Sequence, residues 1–248
     1  MSLPLAGELP LLSVKERKKY PLVVINSRSF MEECFHILRN NTELLLLPNP
    51  EKASRVVFLT STRTGEGKTF TALNLAAAYA QTGKKVLLID GDLRKASLSA
   101  FCVGKNSRGL AHLLMNPLAS PDSVLQSGEN FPGFDMVPAG PVPPNPAALL
   151  TQGRFEDLIR YWRTRYDRII VDGCPYEAVA DASLMARHAD LVLYLIRCGM
   201  IEKQYVPSIQ EVAARGEFRS VALILNAENF KNSRFHYYSE YSGSETAG

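Results

Sequence analysis

Residues 56–69 restrict what this chain can fold into more than any other stretch. Val56 to Thr60 is a short apolar, β-branched run that reads as a buried strand. It leads into Ser61-Thr62-Arg63-Thr64-Gly65-Glu66-Gly67-Lys68-Thr69, and then into an Ala- and Leu-rich helical stretch, Thr69 to Gln81, that ends at Gly83. Strand, glycine turn and helix in that order describe a phosphate-binding loop. Gly65 and Gly67 let the backbone turn its N–H groups onto phosphate oxygens, and the helix N-terminus adds its dipole. Lys68 is placed to reach the outer phosphates, and the Thr69 hydroxyl to ligate Mg²⁺. Thr62 stands where the pattern usually has its first glycine.

The rest of the chain repeats the alternation of short strands with longer helices. Val86 to Asp90, Arg168 to Asp172, Leu191 to Ile196 and Val221 to Asn226 read as strands, and Met136 to Pro138 as the end of another. Helices are expected over Phe30 to Leu47, Pro146 to Tyr166, Ala180 to His188 and Gln204 to Arg215. Strands apolar on both faces predict an α/β, P-loop NTPase-like fold, with a mostly parallel central sheet and helices on both faces. A length of 248 residues suits one such domain. Leu75 to Ala80 and Leu191 to Ile196 are the longest apolar runs, too short for a transmembrane helix within the chain. The start lacks the basic-then-apolar design of a secretory signal. A net charge of +3 is too small to argue for a nucleic-acid partner. Cys34, Cys102, Cys174 and Cys198 form no CxxC pair and read as reduced thiols, not as a disulfide or zinc framework.

Three carboxylates fall where such a sheet presents ligands. Leu87-Leu88-Ile89-Asp90-Gly91-Asp92-Leu93-Arg94 brings Asp90 and Asp92 out of the C-terminal edge of a strand. At alternate positions they point the same way and can share a metal or divide metal and base duties. Asp172, at the tip of Arg168-Ile169-Ile170-Val171, is the expected Mg²⁺-side partner of the loop. Asn226 ends the last strand, at a position where related nucleotidases place an adenine contact. The last segment, Ala227 to Gly248, is polar and carries Tyr237, Tyr238 and Tyr241 within five residues. Hydroxyls on a polar tail are suited to reach a neighbour's site as phosphoryl acceptors.

Taken together and in this order, these boxes resemble the cytoplasmic domain of the bacterial protein-tyrosine kinases of capsule and exopolysaccharide co-polymerases. Thr64 to Thr69 matches the family's first box, Val86 to Arg94 its second, and Arg168 to Asp172 its third. Pro138-Ala139-Gly140-Pro141-Val142-Pro143-Pro144-Asn145-Pro146 is similar to the family's long proline loop, and the tyrosine tail stands where the family has its autophosphorylated cluster. The resemblance implies ATP- and Mg²⁺-dependent phosphorylation of tail tyrosines in a neighbouring subunit. Lys68 and Thr69 would hold phosphate and metal, Asp90 would take the tyrosine proton, Asp92 would support metal or acceptor, and Asp172 would orient Mg²⁺. It divides the chain into an N-terminal linker and oligomerisation helix (1–50), a kinase domain (51–226) and a tyrosine tail (227–248). Glu33, His36 and Arg39 stand at the positions of the family's Glu-x-x-Arg-x-x-Arg ring-packing helix. Implied partners are further copies of the chain in a homo-oligomer, a membrane-spanning co-polymerase region on the same chain, and a cognate tyrosine phosphatase. The implied location is the cytoplasmic face of the bacterial inner membrane, with Lys15 to Lys19 near anionic headgroups. The family's third box usually continues Thr-Pro-Pro, whereas this chain has Gly173-Cys174-Pro175, so a differently shaped loop is expected behind Asp172.

Two other readings share the loop and the aspartate boxes. One is a partitioning or division-site ATPase switch, whose loop carries Lys-Gly-Gly where this chain has Arg63-Thr64-Gly65. The other is a nucleotide-binding scaffold without catalysis, against which Lys68, Asp90, Asp92 and Asp172 all stand intact.

Overall fold

The strand that feeds the phosphate loop is apolar on both sides, so it is stable only between two helical layers. The structure, a computed structural model, describes residues 3–12, 29–46, 54–98, 108–128, 131–177, 179–200, 209, 211 and 218–229. It places this strand, β2 (Arg55–Ser61), inside an eight-stranded sheet. The others are β1 (Leu5–Pro10), β3 (Val86–Asp90), β4 (Gln126–Gly128), β5 (Phe131–Val137), β6 (Arg168–Asp172), β7 (Leu191–Arg197) and β8 (Val221–Glu228). Their order is β1-β8-β7-β2-β6-β3-β5-β4, parallel throughout except for the antiparallel β4–β5 pair.

The two-residue period of β2 divides the core. Val57 and Leu59 face one layer with α1 (Phe30–Leu45) and α2 (Lys68–Ala80). Val56 and Phe58 face the other, formed by α3 (Leu110–Met115), α4 (Pro146–Leu150), α5 (Arg154–Arg163) and α6 (Asp181–Ala186). Trp162 is fully buried in that second layer, as a packing residue.

Helix α1 starts where Ser29 accepts a hydrogen bond from Glu32 N at 3.2 Å, with Glu32 and Glu33 in its first turn. It is tied to the core by polar bonds as well as by Phe35 and Leu38. Arg168 donates to Glu43 from Nε at 2.6 Å, and Asn41 Nδ2 donates to Ala6 O at 2.9 Å.

The structure departs from the sequence reading in several places, among them α3, where the sequence carries no helix expectation. Residues 5–10, expected as linker, form edge strand β1 paired in parallel with β8, because Ala6 and Leu9 are completely buried there. The helix expected over Pro146 to Tyr166 is two helices, separated by Thr151-Gln152-Gly153, with Gly153 at φ +79° before α5. Strand β5 begins well before its apolar end and pairs with the unforeseen β4. Helix α6 spans only 181–186 of the expected 180–188. The helix expected over 204–215 lies almost entirely outside the described residues. Among the described residues, no helix is long and apolar enough to cross a membrane.

Candidate active site

The C-terminal ends of β2, β6, β7 and β8 border one cavity of about 620 Å³, the position at which open parallel sheets bind ligands. The phosphate loop forms its floor. Gly65 and Gly67 sit at φ +88° and +100°, conformations that side-chain-bearing residues rarely adopt. Gly67 is also the N-cap of α2, and no side chain caps that helix, so its first-turn N–H groups face the ligand side. Glu66 has a different task. It is fully buried, and its carboxylate accepts from Arg63 N at 2.6 Å and Arg197 N at 3.5 Å, bracing the loop from within. Thr64, at the exposed lip, accepts from Lys95 Nζ at 3.3 Å.

Lys68 is nearly buried, and its ammonium donates to Ser61 Oγ at 2.9 Å and Arg63 O at 3.5 Å. Burial pulls its pKa below the usual lysine range, opposed by the negative charge of Asp172 and Glu66. The ammonium thus rests on weak neutral acceptors within the loop, which an anionic phosphate readily outbids.

Asp172 and Thr69 make the second element. Thr69 Oγ1 donates to Asp172 Oδ2 at 2.7 Å, while Asp172 Oδ1 is buried without any partner. Burial pushes the Asp172 carboxyl up to about 7, although the Thr69 bond and the Lys68 charge act the other way. An orphaned carboxylate oxygen beside a hydroxyl that keeps its lone pairs is a donor set that fits a small hard cation. Among the described residues no three His, Cys, Asp or Glu are grouped to hold a metal by themselves. A cation here would therefore draw its remaining ligands from phosphates and water, the usual habit of Mg²⁺.

The aspartate pair divides differently from the sequence reading. Asp90 is fully buried; its two oxygens accept from Asp92 N at 3.3 Å and Leu98 N at 3.1 Å. It is not among the residues that line the cavity, whereas Asp92 is. The Asp90 oxygens thus close the loop that follows β3, and its expected role as proton acceptor and metal ligand stays a proposal. Asp92 Oδ1 accepts from Arg94 N and Lys95 N at 3.2 and 3.0 Å. Arg94 in turn is held by Asp181 at the start of α6, Nε to Oδ2 at 2.8 Å.

Asn226 is brought to the cavity as expected, but its side chain points at the loop, with Nδ2 donating to Glu66 O at 2.6 Å. Behind Asp172, Gly173 N donates to Leu59 O at 2.9 Å. A Cβ at Gly173 would overlap Phe58 Cζ, so the Phe58 ring fills the space that a side chain there would need. Burial pushes the neighbouring Cys174 thiol up to about 12, which makes it a filler and not a redox handle. The proline loop has a structural task. Pro138 O and Ala139 O accept from Leu110 N and Ala111 N at the start of α3, and Asn145 caps α4.

On α1, Glu33 is exposed, and His36 Nε2 lies 3.6 Å from Glu32. Arg39 is engaged inside its own chain, donating to Ala78 O at 3.1 Å at the end of α2. Tyr237, Tyr238 and Tyr241 lie outside the described residues. Two cations were missed in the sequence: Lys95, one residue past the second box, and Arg197, whose Nη1 donates to Gly65 O at 3.3 Å. Pro10, Leu11 and Leu12 were missed as well; with Phe70 and Leu73 they make the cavity's apolar wall. No local pattern marks these positions, which only the sheet order brings together.

Comparison with known proteins agrees with the fold. A family model described as an AAA domain matches residues 54–215. The tyrosine-protein kinase YwqD of Bacillus subtilis is 34% identical over 218 residues, covering 88% of this chain and 90% of the relative. The tyrosine-protein kinase wzc of Salmonella typhimurium is also 34% identical, over 75% of this chain but only 26% of its own length. Among solved structures, the kinase domain of the Escherichia coli tyrosine kinase ETK superposes with a TM-score of 0.81 at 29% identity, covering 93% of this chain and 92% of that one. The family model over residues 54–215 and the 34% identity to YwqD over most of both chains, on a fold that superposes on the ETK kinase domain, place the chain in the AAA-domain family of bacterial tyrosine-protein kinases.

Proposed function

We propose that this kinase transfers the γ-phosphoryl group of Mg²⁺-bound ATP to Tyr237, Tyr238 and Tyr241 in the tail of a neighbouring copy. The observation that carries this reading is the Thr69–Asp172 pair with its orphaned oxygen, set beside Lys68 in one cavity. The first-turn N–H groups of α2 and Lys68 would hold the phosphates, and Thr69 and Asp172 the cation. When bound, Mg²⁺ neutralises phosphate charge and fixes the orientation of the transferred group. The apolar wall of Leu11, Leu12 and Phe70 suits the flat face of a base. Asp92 takes the proton as the tyrosine oxygen bonds to phosphorus and the bond to the ADP oxygen breaks. A tyrosine of ordinary pKa, about 10, needs such an acceptor. Asp90 positions Asp92 through the turn between them.

The same reading puts the chain at the cytoplasmic face of the bacterial inner membrane, in a homo-oligomer joined to a membrane-spanning co-polymerase region and reset by a tyrosine phosphatase. There it regulates capsule or exopolysaccharide polymerisation and export. The contact set of α1, with Glu33 outward and Arg39 turned to its own chain, supports a docking face that relies on Glu33 more than on Arg39.

Intact mass after incubation with ATP and Mg²⁺ tests the reaction, beside Lys68→Met and a variant with all three tail tyrosines changed to Phe. Phosphate gained by the parent and lost in both variants is the expected result. Nucleotide bound or hydrolysed without phosphotyrosine would overturn the tyrosine transfer.

A further inference from the structure

We infer that Asn226 is a positioning residue for the phosphate loop and acts on phosphate regardless of the base attached to it. Its Nδ2 donates to Glu66 O at 2.6 Å. That carbonyl belongs to the same planar trans peptide as the Gly67 N–H, so fixing the carbonyl on the β8 side turns the N–H to the opposite side, toward the loop's ligand face. The fit is close. A Cβ at Gly67 would overlap Asn226 Nδ2, so the amide occupies space that only a glycine leaves open.

Asn226 is itself held on three sides. Its backbone O accepts from Cys198 N at 2.8 Å, its register partners are Leu9 of β1 and Arg197 of β7, and its Oδ1 accepts from Ala227 N at 2.8 Å. The last bond accompanies Ala227 at φ +60°, a left-handed conformation that an alanine keeps only where its surroundings impose it. The residue is 7% exposed, and both ends of its amide are committed to backbone. With the Glu66 carboxylate bonded to Arg197 N, two adjacent strand ends grip the loop through one residue, Glu66.

This inference rests on the phosphate-loop reading and not on tyrosine transfer. Its test is binding of Mg²⁺-ATP, Mg²⁺-GTP and inorganic triphosphate, by calorimetry, to the parent, Asn226→Ala and Asn226→Asp. The aspartate variant keeps the shape and the bond from Ala227 N, removes the donor to Glu66 O and adds a negative charge. The alanine variant removes the donor without adding charge, so it reads the loss of the bond, and the difference between the two reads the charge. All three ligands should weaken by one common factor of roughly ten, the scale of one buried hydrogen bond. In turnover the same variants should raise KM for ATP with little change in kcat. Loss for ATP alone, with triphosphate binding intact, would make Asn226 a base contact and overturn the inference; so would unchanged binding of all three. A parent that binds all three ligands but makes no phosphotyrosine would instead remove the kinase reading and leave this one standing.

Discussion

Replacing Asp172 with asparagine should make the metal-free protein more stable and the enzyme inactive. In the folded chain, burial raises the Asp172 carboxyl from the ordinary 3.8 to about 7. The folded state therefore holds this proton to a higher pH than the unfolded chain does. Its contribution to stability is complete below about pH 4, falls as pH rises toward 7, and is absent above that. A rise of about three pH units at ~1.4 kcal/mol each sets an upper bound near ~4 kcal/mol on the cost of ionising Asp172 in the fold. The raised value already includes the attraction of the Lys68 ammonium, so the neutral amide of the Asp172→Asn variant escapes the whole cost, and its gain at pH 8 should approach that upper bound of ~4 kcal/mol. Urea unfolding of parent and Asp172→Asn, without nucleotide or divalent cation, from pH 4 to pH 8 measures this. The two midpoints should coincide near pH 4, separate as pH rises to about 7 and then keep a constant gap to pH 8, with the variant the more stable. A parent whose stability runs parallel to the variant's over that range would refute the buried, strained carboxylate. The same variant should make no phosphotyrosine, because a neutral amide cannot replace a carboxylate on a dication.

Gly173→Ala should cost about 1–3 kcal/mol of stability, since its Cβ would overlap Phe58 Cζ and also crowd the Leu59 backbone oxygen, and Phe58→Leu in the same chain should relieve only the first of these. Equal denaturation midpoints for parent and Gly173→Ala would contradict that packing. Arg168→Met, which leaves Glu43 with Lys84 at 3.9 Å in place of its two short bonds at the α1–β6 junction, should destabilise by about 1–3 kcal/mol and increase proteolysis around α1. With their thiols pushed up to about 12 by burial, Cys34 and Cys174 should resist iodoacetamide at pH 8 in the native protein and react fully in urea; mass mapping of the alkylated peptides reads this directly.

The sequence by itself determined the catalytic floor and the fold class. Gly65-Glu66-Gly67-Lys68-Thr69 between a strand and a helix is a local chemical device: its function depends on backbone freedom and on neighbours a few residues away, so it survives as a readable string. The same holds for strands apolar on both faces, whose composition already requires two covering layers. The tertiary structure decided which distant groups share the cavity. Asp90 and Asp92 are indistinguishable as text, and both accept from backbone N–H groups of the turn after β3, yet only Asp92 also borders the cavity. Leu5 to Pro10 has no strand pattern of its own and becomes one because β8 offers an open edge and Ala6 and Leu9 find a core. Asn226, Arg197 and Lys95 meet the loop only because β7 and β8 lie beside β2 in the sheet while the β3 turn comes back over it. A hydrogen bond between residues 160 positions apart is a consequence of strand order, and strand order is settled by the packing of the whole core.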